Sequence, residues 1–132
     1  MNNPKNPKLG HNKKTFLDKP VEHIDITSFD SRKIIESMNK MSFTSRDTAK
    51  ASAIFNEMLA DKDCSIFLTI AGSTSAAGCM KIYSDMIKYN MVDVIVATGA
   101  SIIDMDFFEA LGFKHYQGSQ FQNDTELRDN YI

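Results

Sequence analysis

The sequence predicts an α/β fold in which helices flank a parallel sheet, and three observations carry that expectation. Two apolar runs of strand length, "CSIFLTIAG" and "VDVIVATG", each end in glycine, as strands buried on both faces of a parallel sheet do. Between them, "STSAAGCMKIYSDMIKYNM" sets Met80, Ile82 or Tyr83, Met86 and Ile87 at three- and four-residue spacing, the stripe of an amphipathic helix with a Ser/Thr-rich start. Strand, helix of about four turns and strand then form a βαβ unit over residues 64–98, whose crossover makes the two strands parallel neighbours.

The remaining elements follow in order. The opening "MNNPKNPKLGHNKKTFLDKP" is rich in Asn, Pro and Lys without apolar periodicity, and reads as a flexible basic arm over residues 1–20. The body, residues 21–132, starts with a helix capped by Thr27 or Ser28, in which Ile34, Ile35 and Met38 share one stripe. A second helix is expected from Thr44 or Ser45, with Asp47 at its positive end, Ile54, Phe55, Met58 and Leu59 at helical spacing, and Asp61 to Asp63 closing it. After the second strand, "DMDFFEALG" is a compact helix stopped by Gly112, and "NDTELRDNYI" reads as a further helix that the chain ends before completing. These elements cannot cover two strands that are apolar on both faces, so either partners complete the sheet or the chain is a portion of a longer one.

Composition bounds the function. A chain of 132 residues supports one modest domain, and 42% hydrophobic with 24% charged residues is ordinary globular composition, which excludes bulk disorder. The formal charge of −2 divides unevenly, because residues 1–20 hold five lysines and one aspartate and leave 10 basic and 16 acidic groups, or −6, for the rest. A body of that sign offers no cationic groove to neutralise phosphates, so no nucleic-acid partner is expected. With Cys64 and Cys79 as its two cysteines, no secretory hydrophobic region and no apolar run of ~20 residues, the chain is expected in a reducing cytoplasm and not in a membrane.

In open parallel sheets, ligands bind beyond the carboxyl ends of the strands, where helix N-termini present unpaired N–H groups. The two such ends are "AGSTSAAG" and "ATGASIID". At the first, Gly72 and Gly78 let the backbone approach a ligand, and Ser73, Thr74 and Ser75 add hydroxyls where a helix start could hold a phosphate. G-x-G-x-x-G is absent, and Cys79 and Met80 stand where a P-loop needs Lys and Ser/Thr, so pattern alone leaves a ligand site and a plain tight turn equally open.

At the second end, Thr98, Gly99 and Ala100 form another small-residue corner, followed by Asp104, which reads either as a helix N-cap or as a crevice carboxylate for a ribose or an ammonium group. Asp106 and Glu109 read as solvated helix charges, and His115 as a packed or surface residue. A G-x-S-x-G nucleophile elbow is lacking, and His11, His23 and His115 have no metal-ligand spacing. The eight methionines and the Phe107–Phe108 pair read as packing residues.

"MVDVIVATGASIIDMDFFEALGFKHYQG", with "CSIFLTIAGSTSAAG" before it and "VEHIDIT" near the start, resembles the deoxyhypusine synthase family, and is most similar to its bacterial deoxyhypusine synthase-like branch. The resemblance runs over about residues 20–132 in one register of ordered motifs. It implies a Rossmann-like fold, a homotetramer with sites between paired subunits, and NAD-dependent transfer of a 4-aminobutyl group from spermidine, through an imine on an enzyme lysine, to an acceptor amine. The acceptor implied is a lysine of translation factor 5A, or putrescine in a homospermidine synthase-type enzyme.

By the same resemblance, Gly72, Ser73, Thr74, Ser75 and Ala76 match one NAD-contacting loop and Thr98, Gly99 and Ala100 a second, while Asp104 matches an acid that contacts both NAD and polyamine. Ile103 stands where the eukaryotic enzymes have the partner acid, which favours the bacterial branch. The imine-forming lysine, the histidine and most polyamine-binding acids of the family match no position here. The expectation is therefore an N-terminal portion, a fragment, split gene product or regulatory subunit, that holds half of a cofactor site, has no catalytic lysine and is inactive alone.

Overall fold

A computed structural model of the chain describes residues 13–132. Residues 1–12, which hold most of the expected basic arm and His11, lie outside the described residues.

Two parallel strands, β1 (Phe67–Ile70) and β2 (Val94–Ala97), pair from Phe67 with Val94 to Ile70 with Ala97. The ladder is fixed at both ends. At its start the Ile66 N–H donates to the Asp93 carboxylate at 2.7 Å while the Ile66 carbonyl accepts from Asp93 and Val94. At its finish the Thr98 N–H donates to the Ile70 carbonyl at 3.3 Å. The mixed helix and strand content bears out the α/β expectation, with a two-stranded parallel sheet among the described residues.

Seven α-helical segments accompany the strands among the described residues. One turn, α1 (Lys13–Phe16), precedes an extended stretch in which Pro20 bridges Tyr116. Helices α2 (Arg32–Met38) and α3 (Phe43–Ala60) pack on each other, α4 (Met80–Lys88) crosses between the strands, and α5 (Gly99–Ser101) runs through the wide turn Ile102–Asp106 into α6 (Phe107–Ala110). Helix α7 (Asp124–Asp129) follows, and the Asn123 side chain accepts from the Thr125 and Glu126 N–H groups to cap it.

Several boundaries differ from the sequence reading, each for a local reason. Thr27 and Ser28 do not cap α2: their N–H and hydroxyl groups turn back onto Asp25, and the helix begins only after Ser31. Thr44 and Ser45 lie inside α3, which starts at Phe43. The crossover helix starts at Met80, well past "STSAAG", because Gly78 adopts φ 104°, which no continuous helix can contain. Gly112 stops α6 as expected, at φ 93°. Helix α7 ends at Asp129, ahead of the last residue, with the Asn130 N–H returning to Glu126 and Leu127.

The strands are not buried on both faces. Phe67, Val94 and Val96 point to one side and are exposed, Phe67 by 62%, while Leu68, Ile70, Ile95 and Ala97 on the other side are half-buried. The apolar run was correctly read as a strand, but the elements that would cover the outer face are absent from the described residues. No helix among the described residues is long and apolar enough to cross a membrane.

Candidate functional site

Parallel pairing places the carboxyl ends of β1 and β2 side by side, so the two small-residue corners become neighbours. They are also bonded directly: the Ser101 hydroxyl donates to the Gly72 carbonyl, and Ser101 is fully buried. Sequence reasoning missed Ser101, which sits one residue past the Thr98, Gly99, Ala100 corner with nothing in its local pattern to mark it.

Gly72 holds φ 76°, a conformation that side chains strain to adopt, and a Cβ there would meet nothing within 4 Å. The backbone is thus free to be approached from outside at Gly72. Gly78 is different. Its close approach is to the chain itself, since a Cβ would lie 3.0 Å from the Glu22 carbonyl oxygen, and the Gly78 carbonyl accepts the Ile24 N–H at 3.0 Å.

The three hydroxyls of the first corner have separate fates. Ser73 is exposed, Thr74 is paired with the Tyr83 hydroxyl at 2.7 Å, and Ser75 is only 1% exposed with its Oγ unpaired. Ala76 is half-buried in the turn. At the second corner Thr98 and Gly99 are exposed and Ala100 is half-buried. Thr98, not Asp104, occupies the N-cap position, without a side-chain bond. Asp104 and Ile103 lie in the wide turn Ile102–Asp106, both exposed, so the carboxylate is available to a ligand and has no cap to make. Backbone amides, the Ser73 hydroxyl and one free carboxylate can together bind a polar ligand that carries hydroxyl or ammonium donors.

The second charged feature corrects the sequence reading. Glu109 and Asp106 are not solvated helix charges: the Glu109 side chain is only 10% exposed, and Asp106 Oδ1 is enclosed without a partner. Glu109 Oε2 lies 2.6 Å from His23 Nε2, and Oε1 lies 2.8 Å from His115 Nδ1. Burial alone would push the Glu109 carboxyl up, but the hydrogen bonds from His115 and then His23 outweigh it and hold the group below its ordinary value. An ionised carboxylate only accepts, so each facing ring nitrogen carries the proton.

His115 was in part legible, because it lies only six residues after Glu109, with Gly112 turning the chain between them. His23 gave no local signal at a separation of 86 residues. Among the described residues, no cluster of His, Cys, Asp or Glu could hold a metal ion.

Comparison with known proteins gives the same answer as the motifs. The family model for deoxyhypusine synthase matches residues 33–132. A deoxyhypusine synthase-like protein of Coxiella burnetii is 65% identical over 128 residues, 97% of this chain and 36% of that protein. A deoxyhypusine synthase-like protein of Caulobacter vibrioides is 64% identical over 96% of this chain and 34% of its own length, and a probable deoxyhypusine synthase 2 of Methanosarcina acetivorans is 36% identical over 90% and 34%. The chain therefore spans about a third of the length of these relatives. With residues 33–132 matched by the family model and 97% of the chain matched by a relative 65% identical to it, this chain belongs to the deoxyhypusine synthase family.

Proposed function

We propose that the paired corners form part of an NAD site in an enzyme that transfers the 4-aminobutyl group of spermidine to an acceptor amine, with the sheet belonging to a Rossmann-like fold. The observation that carries this reading is the bonded pair of strand ends, open at Gly72, Ser73, Thr98 and Gly99 and flanked by the free carboxylate of Asp104.

In this reading the backbone of Gly72, Ser73, Thr74, Ser75 and Ala76 and that of Thr98, Gly99 and Ala100 approach the dinucleotide. Ser75 and Thr74 contribute main chain, because their hydroxyls are turned inward or already paired. Asp104 accepts from a ribose hydroxyl or a substrate ammonium, and Ile103 supplies an apolar wall beside the aminobutyl chain. When bound, NAD supplies the hydride acceptor for oxidation of the amine. The acceptor amine is a lysine of translation factor 5A, with putrescine the alternative, and the enzyme works in the cytoplasm as a homotetramer. No lysine of this chain is assigned to catalysis.

The test is thermal protection. NAD at a hundredfold its dissociation constant stabilises a native state by about 2.7 kcal/mol, so a rise in melting temperature that Asp104→Ala reduces supports the reading. No rise at millimolar NAD contradicts it. Spermidine-dependent release of 1,3-diaminopropane, with the acceptor varied, then tests the transfer in the longer relatives.

The exposed apolar face of Phe67, Val94 and Val96 favours a second reading, a non-catalytic subunit that folds against a longer family member. Co-purification with such a partner supports it, and a stable monomer counts against it.

A further inference from the structure

We propose that Glu109, His23 and His115 form a positioning clasp that holds the two strand-end corners in register from behind, without touching a ligand. The clasp deepens the NAD reading and rests on it for its functional consequence, though not for its structure.

The connections can be followed bond by bond. Thr98, Gly99 and Ala100 lead without interruption through α5 and the turn Ile102–Asp106 into α6, which carries Glu109. The Glu109 carboxylate takes one N–H from His23 and one from His115. His23 lies between Glu22, whose carbonyl oxygen would lie 3.0 Å from a Cβ at Gly78, and Ile24, whose N–H donates to the Gly78 carbonyl. The Val21 N–H donates to the His115 carbonyl at 2.8 Å, and the Gln117 N–H to the Lys19 carbonyl at 2.8 Å, so the same segment is pinned on its other side. Lys81 of α4 adds a link, reaching Asp85 at 2.9 Å and Asp25 at 3.6 Å.

Gly78 closes the turn that contains Ser75 and Ala76. The far end of the second corner's helix therefore grips the segment that braces the first corner. The Ser101 bond to Gly72 ties the same two corners directly. A displacement of α6 would move the brace on Gly78 as well.

The chemistry distinguishes a clasp from a generic ion pair. A carboxylate can accept from both imidazoles at once, whereas the amide of Glu109→Gln has one accepting oxygen and one donating nitrogen. His23 Nδ1 is enclosed and has no partner among the described residues, so moving its proton there would bury an unpaired N–H. His115 is the more exposed ring. In Glu109→Gln the amide oxygen should stay on His23, and His115 should change tautomer to accept from the amide nitrogen.

The experiment uses the 132-residue chain, with nitrogen NMR of the imidazoles, amide exchange and NAD titration. Glu109→Gln should convert His115 to the Nε2–H tautomer, leave His23 unchanged and keep NAD affinity near that of the unsubstituted chain. Glu109→Ala should speed exchange at Ile24 and through residues 75–79 and weaken NAD binding by about tenfold. Ala49→Gly, which loosens α3 away from the corners, should lower the melting temperature without moving NAD affinity.

An unchanged His115 tautomer in Glu109→Gln would overturn the clasp even if Glu109→Ala fails to fold. So would exchange rates at Ile24 that Glu109→Ala does not alter, or an equal loss of NAD affinity in Ala49→Gly. Should the unsubstituted chain not bind NAD, the tautomer and exchange results still decide the clasp, and the cofactor reading alone falls.

Discussion

The strand-end corners and the α2–α3 hairpin are both rich in small and apolar residues, yet they are fixed in different ways. At the corners, contacts from distant parts of the chain converge: Ser101 on Gly72, Ile24 on Gly78, His23 and His115 on Glu109. The hairpin packs chiefly on itself. Helix α3 buries Ala49 alone, while Phe43 is 86% exposed and Ile34, Ile54 and Leu59 also face outward. Polar groups that must be satisfied define the corner within this chain, whereas the apolar stripe of the hairpin has no cover among the described residues. Substitutions should therefore be costly at the corner and cheap along the stripe.

The largest effect is expected at Gly78. Gly78→Ala imposes a positive φ on a residue with a Cβ and drives it against the Glu22 carbonyl, so a loss of about 1–3 kcal/mol in denaturant unfolding is expected. A Gly78→Ala midpoint equal to that of the unsubstituted chain would break the comparison. Next comes Glu109→Ala, which strands two imidazole N–H groups and should cost about 1–3 kcal/mol by the same measurement.

The clasp also predicts a pH dependence. The folded Glu109 carboxyl sits below its ordinary value of 4.5, so its contribution is complete above that value and is lost as pH falls through the folded one. Asp25 and Asp30 are lowered as well and slope in the same direction; His23, Asp106, Glu22 and Lys114 line the cleft beside Glu109, and His115 bonds its other oxygen. The difference between the unsubstituted chain and Glu109→Gln across acid titration isolates Glu109, and the two curves should converge at low pH. The smallest effect belongs to the stripe: Ile54→Gln should change stability by no more than about 0.5 kcal/mol, while reducing binding of a hydrophobic dye.

The sequence made the sheet order and the two corners legible because strand length, terminal glycine and helical stripe are local patterns. Helix starts were less legible, since Thr27 and Ser28 spend their bonds on Asp25 and Gly78 interrupts a run that looks helical. The roles of Ser101, Glu109 and His23 were not legible at all. Each depends on a partner 29 or 86 residues away, and a glutamate on a short helix looks the same in sequence whether it meets water or two imidazoles.

The central claim is that NAD lies across the paired corners, and amide chemical-shift mapping during NAD titration tests it most directly. The account predicts saturable shifts at residues 72–76 and 98–104, with none along α3. No shifts at millimolar NAD, or shifts confined to the exposed apolar faces, would contradict it.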